Sequence, residues 1–233
     1  DEALEADSEY ADGHWNRGLA RLLAGDLVRG FKDYEWRLKI PEFSRQQRNI
    51  PLWDGQPVVE KSVLVYSEQG YGDTIQFIRY TSMLAEQGAK VILETHKPLV
   101  KLFEGVESVN EVIQRGAKFI HADFQIPIMS LPNRFSTTLN NIPADIPYLP
   151  ISSTINFEIG NKSPTVIGIA WAGNPRHRHS WAANRSLEVK FLDPIFQIPG
   201  ITWVSLQMDE RYNEIALIGK LNLLYDMRDI VAN

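Results

Sequence analysis

Ser62-Val63-Leu64-Val65-Tyr66-Ser67-Glu68-Gln69-Gly70-Tyr71-Gly72-Asp73 is the stretch that decides the fold. Ser62 to Tyr66 is a short continuous apolar run, the pattern of a parallel strand buried on both faces. A glycine-rich turn, Glu68 to Asp73, follows it. Thr74 to Gln87 then reads as a helix with Ile75, Ile78, Met83 and Leu84 on its apolar face. Gly88 is placed to end that helix, and Val91-Ile92-Leu93 reads as the next strand. Strand, turn, helix, strand is one βαβ unit.

Gly70 and Gly72 let the backbone come close to a ligand or to another chain segment. The dinucleotide fingerprint G-x-G-x-x-G is not met, because Ile75 stands where its third glycine belongs. Asp73 also counts against a phosphate at this helix start, since two anions there repel. Asp73 itself has two readings. It is a first-turn carboxylate that complements the helix macrodipole, worth up to about 1 kcal/mol. Equally, it is a carboxylate at the carboxyl end of the first strand, where open α/β sheets bind ligands. There it would serve as a general base, a role worth roughly 10²- to 10⁴-fold in rate.

Downstream, Pro98 to Phe103 reads as a short helix and Val109 to Ile113 as a strand of edge length. Phe124 to Met129 is a strand interrupted by Pro127. Ser130 to Leu149 holds three prolines and reads as loop, with a helical turn at Phe135 to Leu139. Ile151 to Lys162 is polar, lacks periodicity and reads as a linker. Thr165 to Trp171 opens a second αβ segment as a buried strand. A long loop follows it, then a helix at about Leu187 to Gln197, a strand at Ile201 to Leu206, a helix at Glu210 to Lys220, and Leu221 to Tyr225.

The loop Ala172 to Ser186 carries Arg176, Arg178 and Arg185 and two of the five histidines in a chain of net charge −5. It joins the carboxyl end of a strand to an expected helix start. Cations, backbone N–H groups and the side chains of Asn174 and Ser186 would suit a diphosphate there. The alternative is a solvated polar loop. His177 and His179, two apart with no carboxylate nearby, make an incomplete metal site, so no metal is expected.

Upstream, Ala11 to Ile40 shows helical spacing. Trp15, Leu19, Leu22 and Leu23 fall on one face of a first helix, and Leu27, Phe31, Tyr34 and Leu38 on one face of a second. Gly25 suits a helix C-cap and Asp26 the next N-cap. Arg45 to Pro51 has no apolar period and reads as a connector.

The bulk composition is that of an ordinary globular chain. The acidic balance gives no global field for nucleic acid. The absence of cysteine excludes disulfides, thiolate catalysis and Cys-ligated metals. No apolar run is long enough to span a membrane. With no signal-peptide pattern, the expected location is the cytoplasm. The start at Asp1-Glu2-Ala3-Leu4 reads as the middle of a longer protein.

The stretch from His14 to Leu38 resembles a tetratricopeptide repeat, with Gly18, Ala20 and the Gly25-Asp26 turn at its small-residue and turn positions, and Tyr34 at an aromatic position. Gly30 replaces the repeat's second-helix alanine, and Pro41 comes one residue early. Glu68 to Phe77, together with Trp171-Ala172-Gly173-Asn174-Pro175 and Asn184-Arg185-Ser186, resembles bacterial tetratricopeptide-repeat proteins fused to a glycosyltransferase-like domain. That domain is similar to the ADP-heptose:lipopolysaccharide heptosyltransferases. Pro51 to Gly55 and Ser205 to Gln207 extend the resemblance in the same order.

The resemblance implies an α/β chain of the GT-B kind, in which two Rossmann-like domains face each other. Residues 1–44 would be a repeat-like helical segment, 45–150 the acceptor-side domain, and 163–233 an incomplete nucleotide-sugar-side domain. It implies inverting, metal-independent sugar transfer without a cofactor. Asp73 would be the base, and Glu68, Gln69, Gly70 and Gly72 the acceptor-side loop. Gly173, Asn174, Arg176, Arg185 and Ser186 would bind the diphosphate of an ADP- or UDP-type sugar. The repeats would bind a protein or peptide. The family's nucleotide motif is expected just beyond Asn233, which leaves two expectations: a fragment of an enzyme, or a non-catalytic scaffold with a degenerate transferase domain.

Overall fold

The computed structural model describes residues 2–44, 48–117, 120–150, 165–173, 186–219 and 224–226. The chain forms two compact units, Asp1–Ser152 and Ser153–Asn233. In the first, helices α1 (Glu2–Ala6), α2 (Ala11–Leu23), α3 (Leu27–Tyr34) and α4 (Pro41–Ser44) precede the sheet, with a 3₁₀ turn at Glu35–Lys39. Asp26 caps α3 by accepting the Arg29 N–H at 3.3 Å, and Gly25 turns the chain at φ +82°. A side chain would be strained at that φ, so glycine belongs there.

Helices α2 and α3 approach backbone to backbone. A Cβ added at Gly18 would lie 2.8 Å from the Tyr34 nitrogen and 3.1 Å from the Gly30 oxygen. Asp33 ties the pair, accepting Arg17 Nε and Arg21 Nη1 at 2.6 Å each. Burial alone would raise the Asp33 carboxyl, but Arg17 and Arg21 hold it below the ordinary range. The apolar face is narrower than expected. Trp15 and Leu22 pack on the core, while Leu19 is 41% and Leu23 92% exposed. Close contact at Gly18 and Gly30 turns the α2–α3 seam away from those two leucines.

The sheet follows as β1 (Ser62–Tyr66), α5 (Tyr71–Phe77), a 3₁₀ turn Ile78–Tyr80, α6 (Thr81–Glu86) and β2 (Lys90–Thr95). Helix α7 (Val100–Phe103), β3 (Glu111–Gln114), β4 (Phe124–Pro127) and α8 (Leu131–Arg134) complete it. The four strands are parallel in the order β3-β2-β1-β4, with Val63 beside Val91 and Phe124. This is a mixed α/β unit built on a parallel sheet, as a Rossmann-like fold requires. Val63, Leu64 and Val65 are 0% exposed, as a doubly covered strand demands. The helical turn expected at Phe135 to Leu139 lies earlier, at α8. There Pro132 occupies an early helical position, where its missing N–H matters least.

The helical hairpin and the sheet share one core. Phe31 and Tyr34 belong to the same buried cluster as Val63, Val65, Phe77 and Leu93. Phe31 meets Phe77 edge to face at 6.3 Å. Segments 1–44 and 45–150 therefore lie in one compact unit.

The second unit holds β5 (Thr165–Ile169), a 3₁₀ turn Val189–Leu192, α9 (Asp193–Phe196) and β6 (Ile201–Ser205). A longer 3₁₀ helix, Glu210–Ile218, precedes β7 (Leu224–Asp226). The strands are parallel in the order β5-β6-β7. Trp171, Val189, Phe196, Trp203 and Ile215 form its core. The expectation that Thr165 to Trp171 is a buried strand fails over β5, where Val166 is 44% and Ile167 37% exposed. An apolar run marks what a strand can bury, but among the described residues β5 is an edge strand with one neighbour. The linker expected at Ile151 to Lys162 lies outside the described residues. Among the described residues, no helix is long and apolar enough to cross a membrane.

Candidate functional site

The order of the first sheet fixes where to look. The chain runs from β1 through β2 to β3 on one side and returns to β4 on the other. The carboxyl ends of β1 and β4 thus flank the reversal point, where open α/β sheets take their ligands. Glu68 leaves β1 at that point, and Met129 and Ser130 leave β4.

That crevice is filled by a residue of the helical segment. Arg37, with a side chain 0% exposed, donates Nε to Glu68 Oε2 at 2.8 Å and Nη2 to Glu68 Oε1 at 2.7 Å. Arg37 Nη2 also donates to Ser130 Oγ at 2.8 Å, and Nη1 to Glu35 Oε1 at 2.9 Å. Burial favours the neutral guanidine, but Glu68 and Glu35 keep Arg37 charged and raise its affinity for the proton. Such a bidentate pair has defined geometry and resists separation. Gln69 turns the same way, donating Nε2 to the Tyr34 hydroxyl at 2.6 Å. Glu68 and Gln69 of the candidate acceptor-side loop thus hold the hairpin onto the sheet. Tyr66 lies 3% exposed, and its hydroxyl has no hydrogen-bond partner among the described residues. Burial and the charge of Glu68 push that phenol up, so it stays protonated.

The glycine-rich half of the loop faces outward. Helix α5 starts at Tyr71, three residues before the expected Thr74, because Gly70 adopts extended backbone at φ −76° and ψ 173° as its N-cap. Asp73 then falls in the first turn, where its Oδ2 accepts the Gly70 N–H at 2.9 Å. This is the carboxylate half of a capping box. Oδ1 of Asp73 accepts no hydrogen bond among the described residues, and the residue is half-buried beside exposed Tyr71 and Gly72. One oxygen fixes the carboxylate and the other remains available. Behind the loop a chain of buried hydroxyls, Thr74 Oγ1 to Ser67 Oγ at 3.0 Å and Ser67 Oγ to Thr95 Oγ1 at 3.1 Å, braces α5 against β1 and β2.

Two residues that sequence reading does not single out stand at the same edge. His96 follows β2, and its ring lies 5.0 Å from that of Tyr71. Arg115 follows β3 and brings Nη1 to 3.1 Å from His96 Nε2. Burial, then the charge of Arg115, lowers the His96 pKa below the ordinary value, so the ring is neutral near pH 7. No motif links these residues in sequence; only the adjacency of three parallel strand ends does. Among the described residues no group of three or more His, Asp or Glu side chains is arranged to hold a metal.

In the second unit, Asn174, Arg176, Arg185, His177 and His179 lie outside the described residues. Gly173 and Ser186, on either side of them, are joined: the Gly173 N–H donates to Ser186 Oγ at 3.1 Å. The Leu187 N–H donates to the Trp171 carbonyl at 2.8 Å. Gln207, 4% exposed, fixes the end of β5 through the Trp171 and Ala172 N–H groups at 3.2 and 3.1 Å. The helix start expected beside Ser186 is displaced. Leu187 spends its N–H on Trp171, and the first helical turn begins at Val189 behind Glu188.

No family model, curated protein or solved structure matches the chain.

Proposed function

We propose that the chain carries the acceptor side and part of the donor side of a glycosyltransferase that uses a nucleotide-diphosphate sugar. The observation that supports this reading is Asp73: a carboxylate at the carboxyl end of β1, with Oδ2 held by Gly70 and Oδ1 accepting no bond among the described residues. In the proposed reaction an acceptor hydroxyl passes its proton to Asp73 Oδ1 as its oxygen attacks the anomeric carbon. The bond from that carbon to the diphosphate breaks, and its electron pair leaves with the diphosphate. The configuration inverts. Gly70, Gly72 and Tyr71 leave room for the acceptor. Gly173, Asn174, Arg176, Arg185 and Ser186 are the candidate donors to the leaving diphosphate, of an ADP- or UDP-type sugar. No metal or organic cofactor enters this scheme.

A second reading has its own observation. The crevice between β1 and β4 is closed by Arg37, Glu68 and Ser130. That favours a non-catalytic scaffold, whose repeat-like helices recruit a protein.

Ligand-observed NMR with ADP-, UDP- and GDP-sugars separates the two, with Asp73→Asn measured for binding and for turnover. A transferase binds one nucleotide class, and Asp73→Asn keeps that binding while losing about 10²-fold or more in rate. Full activity in Asp73→Asn removes it as the base. No binding at millimolar ligand supports the scaffold.

A further inference from the structure

A cleft of about 660 Å³ opens in the first unit between α6 and the chain segment 143–150. A neighbouring apolar cavity of about 350 Å³ is lined by Leu27, Phe31, Phe77, Tyr80 and Ile142. Arg79 lines both, so the two adjoin. Neither includes the Gly70–Asp73 loop.

The hydroxyls of Ser82 and Ser108 in the larger cleft are already bonded, to the Arg79 carbonyl and to Thr81, and its charges without an ion-pair partner among the described residues are all acidic. Glu86, Glu107 and Asp145 line it, all three are exposed, and none has an ion-pair partner among the described residues. Arg79, which also lines it, is already engaged. Its Nη1 donates to the Pro143 carbonyl at 2.9 Å, its Nε to the Gln76 carbonyl at 3.0 Å, and its guanidinium lies 4.2 Å from the Tyr148 ring centre. The wall from Pro143 to Pro150 contains three prolines, which have carbonyls but no N–H. Carboxylates and carbonyls accept hydrogen bonds and cannot donate them, so this wall selects a ligand rich in donors and positive charge.

The apolar surroundings indicate a polypeptide rather than a small amine. Leu139, Ile142 and Ile146 are 70%, 38% and 83% exposed around this segment, and exposed apolar groups rimmed by charge mark protein-binding surfaces. In the smaller cavity Thr137 is 1% exposed beside Tyr80.

We propose that this double cleft docks a basic segment of a protein partner. Lysine or arginine side chains lie along Glu86, Glu107 and Asp145, and an apolar side chain enters the cavity beside Ile142. The charge complementarity of the rim and the adjoining apolar cavity together define the occupant. This site is independent of sugar transfer.

Fluorescence anisotropy of the full chain tests it, using a labelled peptide in which lysines and arginines flank one leucine, and a control peptide with glutamates in the basic positions. The basic peptide is expected to bind and the acidic one not. Glu86→Gln/Glu107→Gln/Asp145→Asn is expected to weaken binding about tenfold, the combined scale of three exposed charge contacts. Glu5→Gln/Glu42→Gln/Asp54→Asn, equal in charge change but away from the cleft, is expected to leave it within about twofold. Absence of binding overturns the proposal. So does an equal loss in both triple variants, which would reduce the effect to net charge. All six positions take neutral isosteres at exposed sites, so folding is retained and circular dichroism verifies it.

Discussion

Arg37 shows how a single side chain joins the two parts of the first unit. Its guanidinium is fully buried, so it depends on Glu68, Glu35, Ser130 and the Tyr34 carbonyl to satisfy the charge and donors it brings inside. Removing one partner of such a pair leaves an uncompensated buried charge, at a cost of about 3–5 kcal/mol. Replacing both by apolar groups removes that penalty. Urea denaturation of Arg37→Leu should therefore show a loss of this size. Arg37→Leu/Glu68→Leu should be less destabilised than Arg37→Leu alone. If the double variant is the less stable one, the pair acts through hydrogen bonds to the rest of the site, not as a mutual neutralisation. The sequence reading puts Glu68 in the candidate acceptor-side loop, and in the fold it follows β1. Its partner lies 31 residues upstream on another element, and hydrophobic periodicity has nothing to report about that distance.

At the scale of elements, glycine identity was legible but glycine purpose was only partly so. Gly25 and Gly88 end helices with φ of +82° and +83°, as their positions after apolar periodic runs indicated. Gly18 and Gly30 serve contact instead, because helix backbones touch there. Gly18→Ala would gain helix propensity worth about 1 kcal/mol but drives a Cβ to 2.8 Å from a backbone nitrogen that cannot move freely. Overpacking of this kind costs about 1–3 kcal/mol, so the net change is destabilising. Gly72 is the internal contrast: it lies in the first turn of α5, and a Cβ there meets nothing within 4 Å. Gly72→Ala should raise the melting temperature, and Gly18→Ala should lower it. A rise in both would mean that α2 and α3 can separate without penalty. The strands β1 and β2 and the turn between them were readable because each is encoded locally. His96 and Arg115 were not, because only the parallel register of β1, β2 and β3 makes neighbours of residues that far apart in sequence.

For the whole molecule, the sequence presented two apolar strand openings, Ser62 to Tyr66 and Thr165 to Trp171, as equivalents. Their surroundings differ. β1 lies between β2 and β4, and its three central side chains are fully buried. Among the described residues β5 pairs with β6 alone, and Val166 and Ile167 keep more than a third of their surface open. Stability follows contacts made, not apolar content, and amide exchange reports it locally. The amides of Val63, Leu64 and Val65 should exchange through global opening of the first unit. Those of Val166 and Ile167 should exchange through smaller openings at an edge, about a hundredfold faster or more. Hydrogen exchange followed by mass spectrometry on peptides covering the two strands makes the comparison in one sample. Equal protection would mean that a further covering layer shields β5 in solution, and the apolar run of Thr165 to Trp171 would then mark an interface. Unequal protection would mean that the second unit's strand content exceeds its core, with folding of the chain led by the sheet around β1 and the hairpin that Arg37 fastens to it.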